Sequence, residues 1–328
     1  MTTLPRFPTA TIQPQHRIGL YVNCFERGLW YYAKAIVEHF GMNPVYLSIK
    51  KGRRPTNIAE FPMKAITYDM SLSDWLQKTA INVLIAFEGS AHVGSIAQSV
   101  QYRINVVNWE CVKAAQVGAL QIWSELWLPT EKTAEKFAKW HPRIRIMRGV
   151  NWAPDITAKP KTRSGPIIIY HNCGMAGVHE RKNTSGTIEA FKLAALKRND
   201  LHLHITAQRH LGCLEAAKHP RIKIHYGTFT RDAIIDCYRD AHIAVQPSKR
   251  EGFGVPMYEA LAAGCAIVTT DAPPMNEIPH SAQTFFVPVS STKPVVGSLI
   301  PLCITSNDAI ASKILEAAAW ADAARIQR

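Results

Sequence analysis

Residues 246–277 read QPSKREGFGVPMYEALAAGCAIVTTDAPPMNE, and this stretch decides the fold of the second half of the chain. The pattern predicts a strand, a glycine-containing loop, a helix, a second strand and a polar turn. Gly252 and Gly254 let backbone N–H groups approach a ligand closely, and Pro256 suits the first turn of a helix expected over residues 257–263. An anion would bind well at the start of that helix.

Two glutamates flank the glycine loop. Glu251 comes just before it and Glu259 lies about one turn into the predicted helix, so both carboxylates can converge on one polyhydroxylated ligand. Carboxylates accept charge-assisted hydrogen bonds from hydroxyl groups, which gives orientation as well as affinity. The alternative interpretation is that Glu259 caps the helix and Glu251 is a solvated loop residue.

The same alternation of short apolar runs and amphipathic stretches extends outward in both directions. It predicts helices over residues 29–40, 93–100 and 187–196. It predicts strands over residues 18–22, 45–49, 81–87, 104–107, 166–170, 201–206, 222–225, 243–246 and 266–269. Helices between successive buried strands are what a parallel sheet needs, because parallel neighbours cannot be joined by hairpins. Each half therefore reads as a doubly wound α/β domain.

The length of 328 residues fits two such domains. We expect a flexible N-terminal arm over residues 1–16, a first domain over 17–150 and a second over 166–328. Residues 151–165 carry two prolines and several basic residues with little apolar content, which is typical of an exposed linker. A ligand site is expected between the domains, where the carboxyl ends of both sets of strands face one cleft.

Composition and charge indicate the cellular environment of the protein and the kind of partner it binds. The net charge of +13 favours polyanionic or phosphorylated partners, and the amino-terminal half is the more basic. Seven scattered cysteines without a Cys-x-x-Cys pair indicate neither a disulfide framework nor a zinc site. No apolar run approaches about 18 residues and residues 1–16 lack a secretory core, so a soluble, cytoplasmic protein is expected.

The ordered set around the glycine loop resembles the retaining GT-B glycosyltransferases of family four, also called glycosyl transferases group 1. The resemblance covers residues 17 to 319, strongly after residue 165 and loosely before it. Further matching segments are Arg181-Lys182-Asn183 with Ile188-Glu189-Ala190-Phe191, Tyr226-Gly227, Asn108-Trp109-Glu110 and Glu125 to Thr130. The core of the match is Pro247-Ser248, Glu251-Gly252-Phe253-Gly254, Pro256, Glu259-Ala260, Gly264 and Glu277-Ile278.

The resemblance implies a GT-B fold of two Rossmann-like domains facing across a cleft. It implies transfer of a sugar from a nucleotide-diphosphate sugar, with a UDP-sugar favoured and retention of configuration. Arg181 and Lys182 would hold the diphosphate and stabilise its departing charge, with a solvated turn as the alternative. Glu251 would hold sugar hydroxyls, Glu259 the ribose, and Tyr226 would lie near the base. No Asp-x-Asp pair occurs, so no metal or other cofactor is expected.

The first half departs from the family pattern. Many members place a Gly-Gly pair after the first strand to contact phosphate, whereas this chain has Asn23 to Gly28 there, with Gly28, Asn23 and Arg27 as substitutes. His92 follows a predicted strand where some relatives carry a catalytic histidine. The alternative is that His92 lies at the start of a helix without a chemical role.

Basic residues in the first half bear on the acceptor. They favour a polyanionic acceptor such as modified DNA, which they would bind through its phosphates. Alternatives are a lipid or glycan acceptor at an anionic membrane surface, ordinary solvated faces, a nucleotide-sugar epimerase of the same architecture, and a binding module without catalysis. The residues are Lys50, Lys51, Arg53 and Arg54, then Lys132, Lys136, Lys139, Arg143, Arg145 and Arg148 around Phe137 and Trp140.

Overall fold

The computed structural model describes residues 16–22, 28–42, 46–49, 65–67, 71–89, 91–153, 156–161, 164–174 and 180–326. The chain divides into two compact units. The first unit comprises Met1–Trp152 together with Gly297–Leu299, and the second comprises Ala153–Val296 together with Ile300–Arg328. Each unit contains its own parallel sheet.

The sheet of the first unit is parallel throughout, with strand order β3-β2-β1-β4-β5-β6-β7 in the described residues. Its strands are β1 (Ile18–Val22), β2 (Tyr46–Ile49), β3 (Ala65–Thr67), β4 (Val83–Phe87), β5 (Tyr102–Val106), β6 (Glu125–Leu128) and β7 (Ile144–Ile146). Its helices are α1 (Gly28–His39), α2 (Leu72–Thr79), α3 (Ala91–Ile96) and α4 (Glu131–Phe137), with 3-10 segments at Ala97–Ser99, Trp109–Cys111 and Ala114–Ile122. All five residues of β4 are buried, as expected for a strand covered on both faces.

The second unit repeats this plan with the order β10-β9-β8-β11-β12-β13, again with only parallel neighbours in the described residues. These strands are β8 (Ile167–Gly174), β9 (Leu201–Ala207), β10 (Ile222–Tyr226), β11 (Ile243–Gln246), β12 (Ala266–Thr270) and β13 (Thr284–Val287). The helices are α5 (Thr184–Lys197), α6 (Gly212–Glu215), α7 (Arg231–Asp240), α8 (Val255–Ala262) and α9 (Asn307–Ile326); a 3-10 segment spans Met275–Glu277 and β14 (Ser291–Lys293) pairs antiparallel with β15 (Leu302–Ile304). The doubly wound α/β prediction is thereby confirmed for both halves.

Two cores cover the faces of the second sheet. On one face α5 and α9 pack against the strands, with Phe191 and Ile314 fully buried. On the other face α7 and α8 pack, and Tyr238 and Met257 lie in that core. The long helix α9 is absent from the predicted pattern, yet it supplies much of the first core.

Part of the predicted linker is integrated into the second unit. Ala153 and Ile156 are 4% and 7% exposed and lie in the core beneath α7 and α8. The ammonium group of Lys161 donates to the backbone carbonyls of Tyr238, Arg239 and Ala263, each at 2.9 Å. A cation is stabilised at the carboxyl end of a helix, so Lys161 ties the ends of α7 and α8 together.

A short return segment belongs to the first unit although it follows most of the second in sequence. The backbone N–H of Ala114 donates to the carbonyl of Gly297 at 2.9 Å. Lys113 and Ser298 form an isolated antiparallel β-bridge. Residues 297–299 are therefore joined to the first unit through residues 113 and 114.

Two expectations concern the chain ends and membranes. The N-terminal arm predicted over residues 1–16 lies outside the described residues, except for His16. Within the described residues, none of the helices combines the length and the apolar character needed to span a bilayer.

The core beneath α9 can be tested by truncating one side chain. Ile314→Ala removes a side chain that is 0% exposed between α9 and the sheet, so we expect the second unit to lose about 2–5 kcal/mol of unfolding free energy. Urea unfolding followed by circular dichroism measures the loss. Glu316→Ala, which removes an exposed pairing with Lys313 on the same helix, is the control and should cost at most about 1 kcal/mol. Equal midpoints for the two variants would contradict the assignment of α9 to this core.

Candidate active site

The glycine loop lies at the point where the winding of the second sheet reverses. The strand order places β8 and β11 side by side, with earlier crossovers on one side and later ones on the other. Ligands of open parallel sheets bind at such a reversal, beyond the carboxyl ends of the strands. Because β11 ends at Gln246, residues 247–254 extend directly from this edge.

Glu251 is the centre of the arrangement. Its side chain is buried, with 4% of the residue exposed. Oε2 accepts a hydrogen bond from Nη1 of Arg181 at 2.8 Å, and Oε1 accepts one from Nζ of Lys182 at 2.6 Å. Oε1 also accepts from Oγ of Ser248 at 2.7 Å. The interpretation of Glu251 as a solvated loop residue is therefore wrong, and Arg181 and Lys182 do not lie on a solvated turn.

The charge state of Glu251 follows from competing effects. Burial by itself would raise the pKa of this carboxyl, because a charge is poorly solvated inside a protein. The positive charges of Lys182 and Arg181, with hydrogen bonds from Lys182 and Ser248, outweigh burial and lower the pKa below its usual value. Glu251 is consequently an ionised acceptor at neutral pH.

The two cations lie on a tight turn that leads into α5. Glu180 and Asn183, on either side of the pair, have φ of 52° and 55°, in the left-handed region that residues other than glycine rarely adopt. The N–H of Lys249 donates to the carbonyl of Arg181 at 2.8 Å, which joins this turn to the loop that carries Glu251.

A second ion pair fixes the same turn. Nζ of Lys249 donates to Oε2 of Glu180 at 2.8 Å, and the other oxygen of Glu180 accepts from the N–H of Ser185 in the first turn of α5. Burial raises the pKa of Glu180, but the hydrogen bonds from Lys249 and Ser185 outweigh it and leave the pKa lowered. Sequence reasoning selected neither Glu180 nor Lys249, since only the fold brings them together.

A buried histidine contacts the first residue of α5. His171 is 0% exposed; its Nδ1 lies 2.7 Å from the carbonyl of Val245 and its Nε2 lies 2.9 Å from Oγ1 of Thr184. A carbonyl only accepts, so Nδ1 carries the proton and Nε2 accepts from the Thr184 hydroxyl. Burial, together with the nearby positive charge of Lys182, outweighs the Val245 hydrogen bond and lowers the pKa of His171 to about 4.

The glycine loop is closely fitted to the helix that follows it. Gly254 has φ of 96° and precedes α8, which begins at Val255 rather than at the predicted residue 257. A Cβ on Gly254 would lie 1.9 Å from the terminal methyl of Met257. Phe253 is 4% exposed and stacks on Tyr258 with ring centroids 4.6 Å apart. Gly252 and Phe253 thus lie in a buried loop, with Phe253 held by packing.

Glu259 has a partner that the sequence did not suggest. It is 6% exposed, and its Oε1 accepts from Nη1 of Arg231 at 2.6 Å. Arg231 begins α7, so the pair joins the start of α7 to the second turn of α8 on the same face of the sheet. The only local sign was the helix start at Thr230, whose hydroxyl accepts from the N–H of Ala233.

Tyr226 lies at the carboxyl edge of the same sheet. It is the last residue of β10, is 39% exposed, and stacks on His210 with centroids 4.1 Å apart and an interplanar angle of 18°. The pair presents a flat aromatic surface to solvent.

The structure describes only some of the site residues predicted in the first unit. His92 is exposed on α3, and Gly28 begins α1. Asn23 and Arg27, the other substitutes for the Gly-Gly pair, lie outside the described residues.

Only some of the basic residues predicted to bind the acceptor are both described and exposed. Lys50, Lys51, Arg53 and Arg54 lie outside the described residues, whereas Lys136 and Arg143 are exposed. Arg145 was expected to contact a polyanion, but its side chain is only 18% exposed, pairs with Glu125 at 3.1 Å and lies 5.2 Å from the Trp127 ring. Arg145 is therefore a structural residue. Arg148 and Lys132 also pair with acidic neighbours, Glu131 and Glu135.

Metal ligands are not grouped in the part of the chain that the structure describes. No set of three or more His, Cys, Asp or Glu side chains there could hold a metal ion. The described cysteines are all free thiols.

Comparison with known proteins shows what the second unit is similar to. Residues 167–300 match the family model described as glycosyl transferases group 1. The match covers less than half of the chain, so the second unit is similar to this family over residues 167–300. Every residue of the Glu251 and Glu259 clusters lies within these matched residues. No curated protein sequence matches the chain.

Solved structures share the fold of the whole chain. The E. coli trehalose-6-phosphate structure bound with UDP-2-fluoro glucose has a TM-score of 0.64 at 11% identity, covering 95% of this chain and 93% of that one. A Listeria monocytogenes structure assigned as a UDP-N-acetylglucosamine 2-epimerase has a TM-score of 0.61 at 10% identity, covering 95% and 91%. These similarities, with the two parallel sheets, show the GT-B fold.

The chain is shorter than another of its structural neighbours. The pneumococcal O-GlcNAc transferase GtfA, in complex with UDP and GlcNAc, has a TM-score of 0.55 at 17% identity and covers 78% of this chain. The chain spans only 56% of that protein's length.

The His171 anchor predicts a pH dependence of stability. Its folded pKa of about 4 lies below the ordinary value of 6.5, so the unfolded chain takes up a proton that the folded chain does not. The contribution is complete above pH 6.5 and is lost as the pH falls toward 4, on the order of 3 kcal/mol in total. Urea midpoints measured across this range should fall less steeply for His171→Asn than for the wild type, while His280→Asn, at an exposed position, should follow the wild type. Parallel profiles for His171→Asn and the wild type would contradict a buried neutral histidine.

A side chain at Gly254 is predicted to destabilise the protein. Gly254→Ala places a Cβ at φ of 96° against buried Met257, so we expect a loss of about 1–3 kcal/mol of unfolding free energy. Gly212→Ala is the control, since a Cβ there meets nothing within 4 Å and φ is not positive. Thermal unfolding midpoints compare the two, and an unchanged midpoint for Gly254→Ala would show that the loop can relax.

Proposed function

We propose that the chain is a glycosyltransferase that takes a sugar from a nucleotide-diphosphate sugar bound on its second unit. One observation carries the proposal: within the residues that match glycosyl transferases group 1, the Glu251 carboxylate meets Lys182 and Arg181 at the reversal of the sheet. Cations suited to a diphosphate and a carboxylate suited to sugar hydroxyls lie within hydrogen-bond distance of each other.

The charge balance favours an incoming anion. The cluster contains the cations Arg181, Lys182 and Lys249 and the carboxylates Glu180 and Glu251, so one positive charge remains in excess. A donor diphosphate would compete with Glu251 for Lys182 and Arg181. The Glu251 carboxylate would then be released from part of its pairing and could accept hydrogen bonds from the sugar.

The reaction breaks the bond between the anomeric carbon and the diphosphate oxygen and forms a bond from that carbon to an acceptor oxygen. The diphosphate leaves with the electron pair of the broken bond and a developing negative charge, and one of its oxygens takes the proton that the acceptor hydroxyl gives up. Lys182 and Arg181 are fixed in place before the reaction, so they stabilise this charge without reorganisation. Retention of configuration and the roles of Glu259 toward the ribose and Tyr226 toward the base follow from the family resemblance.

A UDP-sugar is our proposed donor. Two of the similar structures contain UDP or a UDP-sugar analogue. The stacked surface of Tyr226 and His210 at the edge of the sheet is suited to a planar base. No metal or other cofactor is part of the proposal.

The described residues say less about the acceptor than about the sugar donor. The sequence favours DNA as the acceptor, with a lipid or glycan at an anionic surface as the alternative. Because Arg145 is paired with Glu125, this prediction depends on Lys136, Arg143 and the basic residues outside the described ranges. A cytoplasmic location is part of the proposal and agrees with the scattered cysteines.

A second candidate is a nucleotide-sugar epimerase, favoured by the similarity to the Listeria monocytogenes structure over 95% of this chain. The products separate the two activities. An epimerase converts the sugar of the donor without transfer, whereas a glycosyltransferase releases the nucleotide and extends an acceptor.

The assignment of Glu251 and Lys182 can be tested by separating binding from turnover. Glu251→Gln keeps the shape of the side chain but removes its charge, so we expect UDP to bind as well as or better than in the wild type. Nucleotide release from a panel of UDP-, GDP- and ADP-sugars should fall by about 100-fold or more. Lys182→Met should weaken UDP binding in calorimetry, because a cation for the diphosphate is lost.

Glu189→Gln is the matched control, since Glu189 is exposed on α5 and pairs only with Lys192 within the described residues. It should leave both measurements unchanged. Turnover by Glu251→Gln at the wild-type rate would remove Glu251 from the mechanism. Failure of the wild type to bind or turn over every donor would overturn the proposed function itself.

A further inference from the structure

The two sheets share a winding plan, and this makes one loop of the first unit correspond to the loop of Glu251. In the second unit the reversal lies between β8 and β11; in the first it lies between β1 and β4. The residue directly after β11 is Pro247, which opens the Glu251 loop, and the residue directly after β4 is Glu88. A ligand site is expected at each reversal.

Glu88 is held in an unusual conformation at this edge. Its φ of 54° lies in the left-handed region, which is rare for a residue with a side chain and concentrates at functional positions. Its N–H donates to the carbonyl of Val106 at 2.9 Å, which continues the sheet hydrogen bonding past the end of β4.

The peptide after Glu88 is fixed from two sides. The amide of Asn105, 2% exposed in β5, accepts from the N–H of Gly89 at 2.9 Å and donates to its carbonyl at 3.0 Å. A Cβ on Gly89 would lie 2.6 Å from the ring of Trp123, which is 3% exposed. The backbone that presents Glu88 therefore has little freedom.

The carboxylate of Glu88 is oriented by Asn108 and, among the described residues, is not paired with a cation. Nδ2 of Asn108 donates to Oε1 of Glu88 at 2.7 Å. Oε2 of Glu88 has no hydrogen-bond partner among the described residues, and neither does the buried Oδ1 of Asn108. No cation pairs with Glu88 in the part of the chain that the structure describes, in contrast to Glu251.

We propose that Glu88 and Asn108 form the acceptor-binding site of the first unit and that they take a sugar or polyol through its hydroxyl groups. This inference rests on the proposed glycosyl transfer and names its acceptor class. An ionised carboxylate only accepts hydrogen bonds, so it binds O–H donors. It repels phosphate, so a phosphate-rich acceptor such as DNA is disfavoured beside Glu88.

The experiment uses the whole chain with glucose, N-acetylglucosamine, glycerol and a DNA duplex as acceptor probes and UDP-glucose as donor. We compare the wild type with Glu88→Gln, which retains an oxygen for Asn108 but loses the charge. Acceptor KM, the dissociation constant of UDP, and saturation-transfer NMR of each probe without donor are measured. Glu135→Gln is the control, since Glu135 is an exposed glutamate on α4 of the same unit.

Hydroxylated probes should bind to the wild type, and Glu88→Gln should raise their KM and weaken their NMR signal by about tenfold. UDP binding should not change in Glu88→Gln, and Glu135→Gln should match the wild type in every measurement. Unchanged acceptor binding in Glu88→Gln, a DNA duplex that binds better than the sugars, or no binding of any hydroxylated probe would each overturn the site. If the wild type turns over no donor, the proposed transfer fails, while the NMR comparison still decides whether Glu88 binds sugars.

Discussion

The burial of the Glu251 carboxylate is the constraint on which the arrangement of the second unit's site depends. Glu251 is almost fully buried, and an ionised group in that position is stable only with matched partners. Those partners come from a turn about 70 residues earlier in the chain, so the pairing fixes the start of α5 against the end of β11. The left-handed residues beside the turn, the Lys249 pair and the His171 contact with Thr184 all serve the same placement.

Preorganisation of this kind has a chemical meaning. Cations that already have a carboxylate partner hold their positions, and in the proposed reaction an incoming diphosphate would replace one anion with another. The pair of Arg231 and Glu259 repeats this arrangement on the other face of the sheet. Each pair combines a positive and a negative group, which under the proposed function would suit a ligand with phosphates at one end and hydroxyls at the other.

The sequence predicted the local elements well where burial is uniform. The strand expected over residues 243–246 is found at Ile243–Gln246, because an apolar run bounded by polar turns fits a strand covered on both faces. Three-residue strands such as β3 and β7 carry too little pattern to be recognised. Helix α9 was missed because its many alanines give no clear apolar stripe, although Ile310 and Ile314 are fully buried.

The sequence indicated the linear segment around the glycine loop and, through the family resemblance, Arg181 and Lys182. Glu251, the glycine loop and Glu259 form one ordered segment, so their residue types could be recognised together. Arg231, Glu180 and Lys249 escaped because their roles depend on pairing across the fold. Arg145 was misjudged for the opposite reason: a basic residue in a basic stretch looks exposed until Glu125 and the Trp127 ring are placed beside it.

The return segment at residues 297–299 bears on how such a protein can be rearranged. A single cut after Trp152 would leave the first unit without the backbone partners of Lys113 and Ala114. Chimeras that exchange the two halves of related enzymes at that junction would therefore join one protein's edge to a foreign segment. Recombination is better tolerated if residues 297–299 travel with the amino-terminal half, so this chain is not a simple tandem of two interchangeable modules.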